Sequence, residues 1–172
     1  MLNHFLIGTP SSGKTTLAAF LHQLNPNSII ISTDAIRAQL FGDESIQGDW
    51  LLIEKEVLRQ IAEALITGTS IIYDATNAKP EWRKSILNRV YGENLQWLAW
   101  HLQTPLELCL FWNQKRQRQV PNVVIEQFYN NLRDFPPQVL EGFVSVNPVK
   151  VTEAGIDFED VLCQLIEILQ HE

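Results

Sequence analysis

Cysteine, methionine and positive charge are all scarce in this 172-residue chain, which has two cysteines, one methionine and 13 lysines and arginines against 20 acids. Two cysteines cannot build a disulfide framework. Cys109 and Cys163 both fall in apolar, helix-patterned stretches, which predicts two small buried hydrophobes rather than a metal site. The net charge of −7 excludes a protein that coats nucleic acid through a broad basic surface. A local basic cluster that recognises one strand end remains compatible with it. No apolar run is long enough to span a bilayer. The first strand begins almost at once, so no secretory leader is expected, and a cytoplasmic location follows. Internal repeats and low-complexity linkers are also missing. The chain therefore reads as one domain over 1–172 with no obligate protein partner.

The 45% apolar content is enough to bury a substantial core. Its pattern alternates strand and helix. Strands are expected at 3–7, 28–32, 70–73, 95–102 and 144–151. Helices are expected at 14–24, 34–41, 50–66, 81–91, 105–116, 122–133 and 158–169. The 50–66 stretch carries Leu51, Val57, Leu58, Ile61 and Leu65 at helical spacing, and Gly68 ends it. Near-continuous Ile, Val and Leu strands separated by helices imply an α/β fold. Its sheet should be mainly parallel and five-stranded, with helices on both faces.

The most specific signal is Gly8-Thr9-Pro10-Ser11-Ser12-Gly13-Lys14-Thr15. It spells G-x-x-x-x-G-K-[ST] between a strand and a helix, the phosphate-cradling loop of nucleoside-triphosphate enzymes. Gly8 and Gly13 let the backbone turn its N–H groups toward a polyphosphate, and the helix N-terminus adds partial positive charge there. Lys14 is placed for the β- and γ-phosphates and the Thr15 hydroxyl for Mg²⁺. Ser11, Ser12 and Thr16 complete the expected ATP-binding loop.

In parallel sheets, ligands gather beyond the carboxyl ends of the strands. That rule selects Asp34 and Arg37 after the second strand, and Asp74, Thr76 and Asn77 after the third. Asp34 and Arg37 share a helix face. Thr33 or Asp34 could merely cap the short helix. Beside a phosphate loop, Asp34 is better read as a base for an acceptor hydroxyl, and Arg37 as a clamp on an acceptor phosphate. Asp74 is placed to hold the Mg²⁺ shell or orient a basic side chain. Asn77 is expected to cap the following segment, and Lys79, Arg83 and Lys84 to form a solvated helix face. Lys115, Arg116 and Arg118 run into Val120-Pro121 as a hinge-like lid at about 112–133. Arg116 is the first candidate there to stabilise transferred phosphate, and Arg118 the second. Most tryptophans are expected to pack. His4, His22, His101 and His171 have no triad or metal spacing.

Four patches together resemble the P-loop polynucleotide kinase family. They are Gly8 to Thr16, Ser32-Thr33-Asp34-Ala35-Ile36-Arg37, Ile72-Tyr73-Asp74-Ala75-Thr76-Asn77, and Asn113 to Pro121 with Val124-Ile125. Phe135-Pro136-Pro137 with Glu141-Gly142-Phe143 is similar as well. The resemblance implies a three-layer P-loop fold with a helical lid, and ATP and Mg²⁺ as cofactors. It also implies Lys14, Asp34, Arg37 and Arg116 as catalytic residues, and Thr15 and Asp74 at the metal. Asp34 would be the base on a 5′-hydroxyl, and Arg37 would bind the neighbouring phosphate. Arg116 would stabilise the transferred group. The family's lid often carries arginine immediately before the asparagine, where this chain has Trp112; either one basic contact is missing or Arg118 replaces it on the triphosphate. The length leaves no room for a phosphatase or ligase domain, so a stand-alone kinase module is expected. The implied acceptor is a nucleic-acid 5′ end. A small hydroxyl-bearing metabolite or nucleoside is the alternative, and an ATP-binding regulatory module without efficient transfer is the second. Fold analogy places the adenine pocket near the loop after the fifth strand, around Asn147-Pro148.

Overall fold

The computed structural model describes residues 1–90 and 95–170. Five strands run parallel: β1 (Leu2–Ile7), β2 (Ser28–Ser32), β3 (Ser70–Asp74), β4 (Gln96–Gln103) and β5 (Ser145–Thr152). A sixth, β6 (Gly155–Ile156), folds back antiparallel on β5, and the sheet order is β2-β3-β1-β4-β5-β6. The sequence reading missed β6 because two residues carry no alternation. Its turn is made by Gly155 at φ 109° and by the Ala154 N–H donating to Thr152 Oγ1 at 3.3 Å.

Among the described residues seven helices surround the sheet: α1 (Lys14–Leu24), α2 (Thr33–Phe41), α3 (Trp50–Ile66), α4 (Pro80–Arg89), α5 (Leu106–Gln114), α6 (Asn122–Asp134) and α7 (Phe158–Gln170). A 3₁₀ turn covers Val139–Glu141. Side chains alternate between the two faces of a strand, so each strand feeds two cores. Phe5, Ile7, Ile71, Tyr73, Trp97 and Ala99 pack under α2, α3, α4 and α6. Leu6, Ile72, Leu98 and Trp100 pack under α1 and α7. Phe5 centres the first core with edge contacts to Tyr73, Trp97 and Phe143, a favoured aromatic geometry. Each such buried side chain contributes about 1.5–3 kcal/mol relative to exposure.

Several expectations need correction. Cys109 is buried, but Cys163 is exposed on α7, because only one face of that terminal helix meets the sheet. Arg83 is fully buried rather than solvated. Asn147 and Pro148 lie inside β5 and not beyond it, with Asn147 Nδ2 donating to the Ala99 carbonyl at 3.1 Å. The fourth expected helix reaches Arg89; its end at Tyr91, like His171, lies outside the described residues. Of the tryptophans, Trp97 and Trp100 are core, and Trp82 and Trp112 pack against it. Trp50 is 38% exposed.

The register positions the site. Ser32 is level with Asp74, and Asp74 with Leu6. The carboxyl ends of β2, β3 and β1 therefore stand side by side, which brings the residues after each strand to one edge.

Candidate active site

The loop between β1 and α1 takes a shape that only its sequence permits. Gly13, at φ 103°, lies in the left-handed region, and Ser11 sits there too at φ 63°. At Gly8 a Cβ would fall 2.6 Å from Ser12 Oγ and 3.2 Å from Leu102 Cβ, so only glycine fits. The Gly8 N–H donates to the Thr76 carbonyl at 3.1 Å, and Thr104 Oγ1 to the Ser12 carbonyl at 2.7 Å. Neighbouring strands thus brace both ends of the loop. Ser12 Oγ is buried without a hydrogen-bond partner. A cradle with left-handed turns and an orphaned hydroxyl fits a polyphosphate.

Lys14 Nζ donates to the Gly8 and Thr9 carbonyls at 3.0 and 2.8 Å. Burial holds this ammonium below the ordinary lysine range, while Asp74 and Asp34 pull it back up. Asp74 ends β3 and is buried; its Oδ2 accepts from Thr15 Oγ1 at 2.9 Å. Burial raises its carboxyl above the usual range, opposed by Lys14 and the Thr15 hydroxyl. A hydroxyl paired with a carboxylate is the hard-oxygen donor set that suits Mg²⁺. Thr16 is exposed on the first turn of α1.

Asp34 does not cap α2. That role falls to Ser32, whose Oγ accepts from the Ala35 N–H at 3.4 Å. One oxygen of Asp34 meets Arg37 Nη1 at 2.7 Å, and the other meets Arg118 Nη1 at 3.5 Å. Arg37 Nε is buried without a partner. Arg118 Nη1 also lies 3.2 Å from Glu44 Oε1. This guanidinium, expected on the triphosphate, stands on the Asp34 side.

The segment expected as a lid, about 112–133, takes in the end of α5, the turn from Lys115 to Pro121, and most of α6. Asn113, buried, joins the two ends of that turn: its side chain accepts from the Val120 N–H at 2.9 Å and donates to the Val120 carbonyl at 2.8 Å. Ser11 Oγ lies 3.5 Å from Asn113 Oδ1, and Arg116 Nη1 lies 3.4 Å from the same Ser11 Oγ. Arg116 is therefore over the phosphate loop, and Trp112 packs against the core under α1 and α7.

Two residues singled out in the sequence, Asn77 and Arg83, turn out to be supports rather than a cap and a solvated charge. Asn77 does not cap α4; its side chain donates to the Leu6 carbonyl at 2.8 Å, holding β1 just before the loop. Arg83 pairs with Glu141 at 2.5 and 2.7 Å and donates to the Asn77 and Phe135 carbonyls at 3.1 and 3.3 Å. It joins the loop after β3 to the end of the lid helix. The pairing spans 58 residues, and no local pattern announces it.

An AAA-domain family model matches residues 4–136. The chain belongs to the AAA-domain family. The matched span covers the phosphate loop, Asp34, Asp74 and the lid of this P-loop domain. The AAA-domain chain is 29% identical over 171 residues to the L-seryl-tRNA(Sec) kinase of Methanococcus maripaludis, covering 97% of this chain and 66% of that protein. It is 30% identical over 160 residues to the bifunctional polynucleotide phosphatase/kinase of Schizosaccharomyces pombe, covering 90% of this chain and 35% of that protein. The chain thus spans about two thirds and one third of the lengths of these relatives. Its fold matches the crystal structure of a putative kinase from Chloroflexus aurantiacus with a TM-score of 0.75 and 19% identity, over 99% and 96% of the two chains. No helix among the described residues is long and apolar enough to cross a membrane.

Proposed function

We propose that this protein is a phosphotransferase that moves the γ-phosphate of ATP to the 5′-hydroxyl of a polynucleotide. The observation that carries the reading is Asp34. Its carboxylate is held 2.7 Å from Arg37, two residues past Ser32, which ends β2 level with Asp74 and with Leu6 of the strand that enters the phosphate loop. The relatives that act on a polynucleotide and on a seryl-tRNA, by their names, support an acceptor carried on nucleic acid.

Each residue then has a physical task. The N–H groups of Gly13, Lys14 and Thr15 at the start of α1, the Ser11 and Ser12 hydroxyls and the Lys14 ammonium bind the triphosphate. Thr15 and Asp74 would hold Mg²⁺, which when bound neutralises charge between the β- and γ-phosphates. Asp34 accepts the proton of the attacking hydroxyl. Arg37 binds the acceptor's adjacent phosphate. Arg116, poised over Ser11, stabilises the charge spread over the transferred group.

A second reading, transfer to a small hydroxyl-bearing metabolite or nucleoside, draws support from the net charge of −7. The test is incubation with labelled ATP, Mg²⁺ and 5′-hydroxyl oligonucleotides, then with seryl-tRNA and a nucleoside and sugar panel. Label on the oligonucleotide supports the first reading. Label confined to seryl-tRNA or to a small molecule replaces it, and tight ATP binding with no transfer leaves a nucleotide-binding module.

A further inference from the structure

The single nitrogen Arg118 Nη1 faces two carboxylates at once, Asp34 at 3.5 Å and Glu44 at 3.2 Å. Arg118 belongs to the lid turn. Glu44 belongs to the loop that follows α2, where Gly42 ends the helix at φ 81° and the Asp43 side chain accepts from the Ser45 N–H at 2.6 Å. Two otherwise separate loops therefore meet at Asp34. Arg37, Arg118, Asp34 and Glu44 sum to zero charge. An acceptor phosphate entering this group adds one negative charge. The group returns to neutrality when Glu44, which is half-exposed, swings out to water.

We infer that Arg118 and Glu44 set acceptor specificity by anion exchange: the acceptor's phosphate takes the place of the Glu44 carboxylate on Arg118. The inference rests on the proposed transfer to a polynucleotide end and names what that end must carry. A phosphate next to the reacting hydroxyl draws Arg118 off Asp34 Oδ2 and leaves that oxygen open to accept the proton. An acceptor without an anion, such as a nucleoside or a neutral sugar, leaves Arg118 on Asp34. Glu44 thus biases the site against uncharged acceptors, and Arg118 is a specificity-determining residue on the acceptor rather than on ATP.

Titration calorimetry of thymidine 3′-monophosphate and of thymidine, with oligonucleotide turnover measured alongside, tests this. Glu44→Gln removes the competing anion. It should tighten thymidine 3′-monophosphate binding and lower the oligonucleotide KM by about two- to fivefold, the scale of a partly exposed ion pair. The KM for ATP should not move. Arg118→Gln should weaken the monophosphate about tenfold with little change for thymidine. In an Arg118→Gln background Glu44→Gln should have no further effect. Equal responses of monophosphate and thymidine, or a Glu44→Gln effect that persists without Arg118, would overturn the exchange. Oligonucleotide turnover with no Glu44→Gln effect sinks the exchange alone. Tightened monophosphate binding with no oligonucleotide turnover sinks the proposed reaction and keeps the exchange.

Discussion

Removing the Glu141 carboxylate should cost this fold about 3–5 kcal/mol. Arg83 is 0% exposed and Glu141 is nearly so. Two charge-assisted bonds at 2.5 and 2.7 Å join them, and two carbonyls complete the guanidinium's partners. Glu141→Ala leaves an uncompensated positive charge inside the protein, which is where the roughly 3–5 kcal/mol arises. It also removes the acceptor for the Gln138 N–H at 3.2 Å. For a domain of this size each kcal/mol moves the melting temperature by about 2–4 °C, so thermal unfolding should shift down by roughly 6–20 °C. Arg83→Met with Glu141→Leu removes both charges and should recover most of that loss, since a buried pair and an apolar pair of similar volume are close in energy. Urea and thermal melts of the two variants decide the matter. A Glu141→Ala loss under about 1 kcal/mol, or a double variant no better than the single, would refute the buried-charge argument.

Asp34→Asn should lower transfer by at least about 100-fold with ATP affinity near normal, whereas Lys14→Ala should weaken both; steady-state kinetics and ATP titration separate them, and unchanged turnover in Asp34→Asn would remove the general-base role. Gly8→Ala should abolish tight ATP binding while the chain still folds, because the new methyl meets Ser12 Oγ at 2.6 Å; circular dichroism and ATP titration check the two halves. Acid should destabilise the protein through His4. Its imidazole accepts from Trp100 Nε1 at 3.0 Å, and burial pushes it down to about 4 from 6.5. Between those values the unfolded chain binds a proton that the native state does not. This contribution is therefore complete above pH 6.5 and is lost as pH falls toward 4, by up to about 3 kcal/mol. Urea unfolding across that range should show a shallower slope for His4→Gln.

How much could be read without coordinates follows the range over which each signal acts. The loop from Gly8 to Thr15 lies within one strand–turn–helix, so spacing alone exposes it, and the structure puts Gly13 in the left-handed region and leaves no room for a side chain at Gly8. Asp34 and Asp74 were legible through a rule about strand ends, which works because five strands run parallel and the ends of β1, β2 and β3 are nearly level. Lys79, Arg83 and Lys84 show where such reading stops. All three look alike on a charged helix start, yet Arg83 alone turns inward, because Glu141 waits 58 residues away. Asn77 and Cys163 fail in the same way: local pattern suggests a cap and a buried thiol, while packing makes one a brace for β1 and leaves the other in solvent.

Sequence by itself determined the α/β alternation, the anion-binding loop and which carboxylates stand at strand ends, because hydrophobic periodicity and glycine conformation act over a few residues. Tertiary structure alone decided that Arg116 lies over Ser11 while Arg118 reaches Asp34 and Glu44, and that Arg83 is buried. Charges far apart in the chain find partners only once the sheet order and the lid bring them within a few ångströms, and no local preference encodes that meeting.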